Sequence, residues 1–490
     1  MRFPLKIILA VLLLGLTTSC FNDDRDDNVI LADEINDFVW KGMNAVYLYK
    51  DNIPNLADNR FSSNQEYDNY LNSFSAPEDL FESLIYQRET VDRFSWIVDD
   101  YIALEQFLSG VFTTNGMEFS LFFAPNSNTE VFGVIRLVLP NSEADNNNLK
   151  RGDIFYAIDS NLLTENNFSD LLNQETYTLN LGLFNDNGTP ETSDDTIDPG
   201  TENITISKIP YTENPVFRTE IIDVDGEKLG YIMYNGFTSE FDNELNNAFG
   251  VFKSNSVQHL VLDLRYNPGG SVNTATLLGS MVTGQYNGDV FTKLIYNNDL
   301  QSFNTLFNFT NTLNDGSAIN SLNLDKVYVL TTGKSASASE MIINSLRAHL
   351  GNSNVIQLGT TTTGKSQASI TVYDSPDLGR DGANPNHTYA MQPLVAIGVN
   401  KNDEQVPSSG LVPTFELEEN PFNYGILGNE NEPLLAAAIA NILGTGRISY
   451  PVLQNIELVK DSNDFNPLEG GLIIDNNVLK GILNRLQFNQ

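Results

Sequence analysis

Two near-continuous apolar runs constrain this chain most, because each ends in a turn of small residues and leads into a helical pattern. In "HLVLDLRYNPGGS", Leu260 to Leu264 is a strand of the kind buried on both faces, and it ends in Asn267-Pro268-Gly269-Gly270. In "KVYVLTTGKSASASEMIINSL", Val327 to Leu330 is a second such strand. Ser335 to Ser339 then lie at a strand-to-helix turn, with Met341, Ile342, Ser345 and Leu346 on the helix behind it. Upstream, Gly230 to Tyr234 reads as a strand, and Phe241, Leu245, Ala248, Phe249 and Phe252 line one face of a helix. Strands alternating with helices in this way predict an α/β domain over residues 209–445, with a mostly parallel sheet.

The rest of the chain follows other rules. Residues 29–102 carry a helical pattern: Ile35, Phe38, Val39, Gly42, Met43 and Val46 share one face, and Leu80, Phe81, Leu84 and Ile85 form a second helical stretch. Residues 103–208 read as short strands broken by turns, including the glycine turns of "NGMEFSLFF" and "LKRGDIF". The acidic stretch Asn185 to Gly200 lacks the spacing of an EF-hand and reads as a solvated hairpin. Residues 446–490 hold a few apolar patches to which the sequence assigns no role. The expected fold is therefore multidomain α/β. The 490 residues include 63 acidic and only 27 basic side chains, a net charge of −36, and such a surface repels phosphate backbones, which argues against nucleic-acid binding.

Arg2 and Lys6, the apolar run Ile7 to Leu16 and Thr17-Thr18-Ser19-Cys20 read as an export signal over residues 1–19. The pattern resembles a bacterial lipoprotein signal, which implies lipid on Cys20, an acidic tether over 20–28 and an expected place in the cell envelope, at the outer membrane of a Gram-negative bacterium. With no second cysteine, no intrachain disulfide stabilises the exported fold.

Chemistry concentrates in three turns. The adjacent glycines 269 and 270 let a backbone approach a ligand closely, and their amides suit an anion. A serine at the turn 335–339 sees the positive end of a helix, which suits a nucleophile and equally suits an N-cap. In "VIQLGTTTTGKSQ", strand Val355 to Leu358 leads to Lys365, and a lysine in an apolar pocket loses its charge and becomes a base for a serine. Of the histidines, His349 lies twelve residues past Ser337 on the same predicted helix, roughly 18 Å along its axis. His387 is not removed by spacing, so a Ser/His hydrolase stays an alternative.

"LDLRYNPGG", "SASASE" and "GTTTTGK", in that order, resemble the carboxyl-terminal processing peptidases, or tail-specific proteases. The resemblance implies peptide hydrolysis with Ser337 as nucleophile and Lys365 as general base, with no metal or cofactor. It also implies oxyanion donors at Ala338, Gly269 and Gly270. Within the run of serines, Ser335 lies toward the strand and Ser339 begins the helix, which leaves Ser337 at the turn. Many members carry a glutamine four residues after the lysine; Ser369 stands there, and Gln367 lies two residues earlier. The β-rich stretch resembles a PDZ domain, which implies a carboxylate-binding loop at Gly116, Met117 and Phe119 and protein or peptide substrates with free C-termini. Glu118 occupies a position that is glycine in many PDZ domains. The alternative from another class is a catalytically silent peptide-binding lipoprotein.

Overall fold

A computed structural model describes residues 32–189, 191–445 and 456–465, together with the backbone of 472–473. Residues 1–19, read above as an export signal, and Cys20 lie outside the described residues, as does most of 446–490. The chain is a multidomain α/β protein, and none of its described helices is long and apolar enough to cross a membrane.

The N-terminal helices are α1 (Ala32–Val46), α2 (Asn64–Leu71) and α3 (Pro77–Ser83). Ser63 caps α2 by accepting from the Glu66 amide, and Pro77 opens α3 where no intrahelical donor is needed. The apolar face of α1 buries Phe38, Val39, Met43 and Val46. Gly42 lets that face sit close to its neighbours, since a Cβ there would meet Met391 at 2.4 Å.

The β-rich module is an antiparallel sheet of β1 (Met117–Phe123), β2 (Val131–Val138), β3 (Ile154–Ile158), β4 (Thr176–Asn185) and β5 (Thr196–Ser207), paired in that order. Gly116 enters β1 at φ +84°, and a Cβ there would fall 2.0 Å from that of Ser142. The acidic stretch forms the tip of the β4–β5 hairpin.

The α/β core runs β6 (Val216–Val224), β7 (Glu227–Tyr234), α4 (Asp242–Ser254), β8 (His259–Asp263), β9 (Gly270–Ser271), α5 (Val272–Thr283), β10 (Val290–Tyr296) and β11 (Thr305–Asn308). It continues with β12 (Val327–Thr331), α6 (Ala338–Leu350), β13 (Val355–Gly359), β14 (Gln367–Ser369), β15 (Leu394–Asn400), β16 (Phe415–Glu416) and α7 (Pro433–Leu443). The main sheet has the order β6-β7-β8-β12-β13-β16, antiparallel only at β6–β7. Its two faces explain the apolar runs. Leu260, Leu262, Val327 and Val329 pack with α4, α5 and α6, whereas Val261, Tyr328 and Leu330 pack with α7. Every second residue is thus buried on each side, at about 1.5–3 kcal/mol per large apolar side chain.

Two later strands complete the picture. β17 (Leu458–Asp461) lies on the outer edge of β1, and β18 (Leu472–Ile473) lies between β9 and β14 in a second sheet that continues through β15, β10 and β11.

Candidate active site

The turn between β12 and α6 holds Ser337 at φ +61°, ψ −110°, a sparsely populated conformation for a residue with a Cβ. Hydrogen bonds on either side fix it. Asn267 O accepts from the Ala336 amide at 3.1 Å and from Ser339 Oγ at 3.0 Å. Ser335 Oγ donates to Leu264 O at 2.8 Å and accepts from the Thr332 amide at 3.0 Å. The outer two serines therefore serve structure. Ser337 Oγ is buried at the N-cap of α6, where it makes no side-chain cap hydrogen bond, and it has no hydrogen-bond partner among the described residues.

Glu340, fully buried one turn into α6, joins this turn to the lysine loop. Its Oε2 accepts the amides of both Ser337 and Lys365 at 2.8 Å, so these two backbone nitrogens lie no more than twice that distance apart. Its Oε1 accepts the Gly364 amide at 2.7 Å and the Thr362 hydroxyl. Burial raises the Glu340 pKa, and these four donors oppose the rise.

Lys365 is only 2% exposed and shares a small pocket with Ser337, lined further by Met341, Val399 and Val406. Burial lowers its pKa to about 7, against the attraction of Asp92 and Glu340 and with a small contribution from Arg93. The N-terminal region also reaches the lysine. Lys365 Nζ sits 4.6 Å from the centre of the Phe94 ring. Arg93 Nη2 donates to Gly364 O at 3.1 Å and to Thr363 O and Ser408 O at 3.3 Å. Asp92 anchors this loop: Oδ1 accepts the Phe94 and Ser95 amides, and Oδ2 accepts Tyr47 Oη and Ser95 Oγ at 2.6 Å.

The sequence pattern missed these groups in different degrees. Glu340 carries a readable signal, the Ser-x-x-Glu spacing of a capping box. Asp92, Arg93 and Phe94 carry none, because only the tertiary fold brings them to the lysine. Of the two candidate orienting residues, Gln367 turns to the N-terminal region: its Nε2 donates to Tyr49 Oη at 3.1 Å, and its Oε1 has no partner among the described residues. Ser369 is buried on β14, opposite Leu394.

The glycine turn abuts the serine, since a Cβ on Gly269 would lie 2.7 Å from that of Ser337. Gly269 and Gly270 adopt φ +118° and +131°. One expected oxyanion donor is lost, because the Gly269 amide already donates to Asn267 Oδ1 at 2.9 Å. The amides of Ala338, at the start of α6, and of Gly270 are the ones left to consider. The turn is rigid: Asn267 Nδ2 donates to Tyr234 O, and Arg265 is buried against Asp263, Glu419 and Glu432.

The histidines belong elsewhere. His387 Nε2 lies 2.9 Å from Asp374, and its ring packs near Phe38. His349 Nε2 lies 2.9 Å from Val290 O, between the Tyr286 and Phe309 rings. Neither lines the pocket that Ser337 shares with Lys365.

The candidate carboxylate loop is also occupied. The Met117 amide donates to Asn115 Oδ1 at 3.1 Å, and the Phe119 amide donates to Ser462 Oγ at 3.1 Å. Glu118 pairs with Arg136 at 2.9 Å. A cavity of about 710 Å³ extends from this loop to Gly269 and Gly270.

Known proteins resemble this chain over much of its length. Residues 34–96 match the Peptidase S41 N-terminal domain and residues 228–379 match Peptidase family S41. The chain is 23% identical over 346 residues to a carboxyl-terminal-processing protease of a Picosynechococcus species, covering 70% of this chain and 73% of that one. It is 30% identical over 140 residues to the chloroplastic carboxyl-terminal-processing peptidase 3 of Arabidopsis thaliana, covering 29% of this chain and 24% of that one. A crystal structure from Bacteroides fragilis, of a protein named as an S41 protease, superposes with a TM-score of 0.67 at 26% identity over 84% of this chain and 98% of that one. With both matches present in order, the chain carries Peptidase S41 family domains, the N-terminal one over residues 34–96 and the peptidase one over residues 228–379.

Proposed function

We propose that this protein hydrolyses peptide bonds of protein substrates through an acyl-enzyme on Ser337, with Lys365 as general base. The observation that carries this reading is the shared pocket: a buried lysine with a pKa of about 7 beside a buried serine hydroxyl that has no hydrogen-bond partner among the described residues. Neutral Lys365 Nζ takes the Ser337 proton as Oγ attacks the scissile carbonyl carbon. The oxyanion that forms lies toward the amides of Ala338 and Gly270. Lys365 returns the proton to the leaving amine; water then enters and attacks the acyl carbon as it gives a proton to Lys365, and that proton passes to Ser337 Oγ as the C–Oγ bond breaks and the acid product leaves.

We further propose that substrates are cut near their C-termini, as the names of the relatives suggest, and that residues 103–208 act as a PDZ-like module. On this reading the chain is anchored to the cell envelope by lipid on Cys20. The decisive experiment is turnover of an unstructured protein by Ser337→Ala and Lys365→Ala. Each should be folded and inactive, and the parent should be indifferent to chelators. A folded, fully active Lys365→Ala would overturn the assignment.

A further inference from the structure

Residues 456–465, "IELVKDSNDF", sit on the β-rich module in the manner of a bound peptide. β17 pairs antiparallel with β1, placing Leu458 opposite Phe122, Lys460 opposite Leu121 and Asp461 opposite Ser120. The Glu457 carbonyl accepts the Phe123 amide at 3.0 Å, and Ser462 Oγ accepts the Phe119 amide. A strand edge is a ready template for an extended segment, and here main-chain pairing is combined with two side-chain anchors.

The first anchor is Asp461, 4% exposed. Its carboxylate accepts from Arg136 Nη1 at 2.5 Å and Ser120 Oγ at 2.9 Å, and it pairs with Lys334. Arg136 is itself buried, and it also holds Asn463 Oδ1 at 2.6 Å. Lys334 lies three residues before Ser337, so one carboxylate ties the module to the turn that bears the candidate nucleophile. The second anchor is Phe465, edge-on to Phe168 at 6.0 Å and tilted against Phe119 at 6.2 Å. Further along, the backbone of Leu472 and Ile473 pairs in parallel with Gly270 and Ser271 and with Ala368 and Ser369. The same stretch of chain therefore reaches the glycine turn and the strand that follows Lys365.

We propose that the edge of β1, with Arg136, Lys334 and the Phe119–Phe168 recess, recognises extended segments of substrate proteins that carry an acidic residue followed four positions later by an aromatic one. Residues 456–465 fill this surface in cis, and a substrate binds by displacing them. The proposal deepens the peptidase reading and rests on it for the word substrate, although binding itself requires no turnover. An intramolecular occupant acts at millimolar effective concentration, so it sets the affinity that an incoming segment must exceed.

The test is fluorescence anisotropy of a labelled IELVKDSNDF peptide with the full chain carrying Ser337→Ala. Weakening the occupant by Phe465→Ala, or separately by Asp461→Asn, should tighten peptide binding about fivefold or more; thermal melts verify that each variant is folded. Peptides with the aspartate of the KDS triplet changed to asparagine, or the terminal phenylalanine to alanine, should bind about tenfold more weakly, a loss of roughly 1.4 kcal/mol. Peptide binding that ignores either anchor, or that is unchanged in both chain variants, overturns the proposal. If binding behaves as expected and the parent chain cleaves nothing, the peptidase reading fails and the recognition surface stands.

Discussion

Asp92→Asn isolates one charge beside the candidate base with little disturbance of shape. The native carboxylate uses Oδ1 for two backbone amides and Oδ2 for two hydroxyls, those of Tyr47 and Ser95. An asparagine keeps Oδ1 for the amides and donates from Nδ2 to the hydroxyls, which rotate to accept. The charge is what is lost. Asp92 is the largest attraction holding the proton on Lys365, whose pKa is about 7. Removing an opposite charge near a buried group shifts a pKa by about one unit, here downward. The acid limb of kcat/KM should move from near pH 7 to near pH 6. The neutral fraction of Lys365 at pH 6 then rises from roughly one in eleven to one half, about fivefold, while at pH 7 it less than doubles. The plateau at high pH should fall, because a weaker base removes the serine proton less well. The assay is the pH dependence of cleavage of an unstructured protein between pH 5 and 9. An acid limb that stays in place or moves up would refute the electrostatic link between Asp92 and Lys365.

Other perturbations test the remaining parts. Ser335→Ala and Ser339→Ala each remove a hydroxyl bonded to a carbonyl, so each should cost about 1–2 kcal/mol in a denaturant melt and retain substantial activity. Glu340→Gln puts an amide NH₂ where a carboxylate oxygen now accepts two donors; it should lose at least about 3 kcal/mol of stability and most of kcat, and an active, stable variant would show that Glu340 does not organise the site. Lys365→Met should be inactive yet more stable than the parent at neutral pH. The folded pKa of about 7 lies below the unfolded value of roughly 10.4, so between these the unfolded chain binds more protons and parent stability rises with pH. The advantage of methionine should approach an upper bound of about 5 kcal/mol below pH 7 and vanish near pH 10.5.

The main sheet was legible in the sequence because its strands are buried on both faces. Leu260 to Leu264 is broken only by Asp263, which pairs with Arg265, and Val327 to Leu330 carries no charged residue, and such runs have few alternatives. The turn 335–339 was equally open to reading, since strand, small residues and helix follow without a gap. What escaped is what sequence distance hides. Asp92, Arg93 and Phe94 lie some 270 residues from the lysine loop that Arg93 grips, and they look like any loop. The last apolar patches had no reading because β17 is a single edge strand whose partner, β1, begins more than 300 residues earlier. Gly269 was misread for a different reason. Two adjacent glycines predict close approach, but only coordinates reveal that Asn267 folds back to take one of their amides.

Two carboxylates, Asp92 and Glu340, attract Lys365, and yet its pKa falls. The reason lies in how those carboxylates are already satisfied. Each accepts four donors: Asp92 takes two amides and two hydroxyls, and Glu340 takes three amides and one hydroxyl. Oriented donor dipoles around a buried anion oppose its field at a neighbour. Desolvation of the ammonium, which moves a fully buried lysine by up to 3–5 units, then outweighs what remains. The two acids thus position the loops on either side of the lysine, and their attraction for its proton is smaller than the cost of burying the charge. The arrangement requires the N-terminal helices as well as the α/β core. Asp92 is fixed by Tyr47 at the end of α1, and the aromatic floor under the amine is Phe94. An α/β core without residues 34–96 would open this pocket to water. Lys365 would regain its charge toward pH 10, and at neutral pH the fraction able to accept the serine proton would fall by about three orders of magnitude.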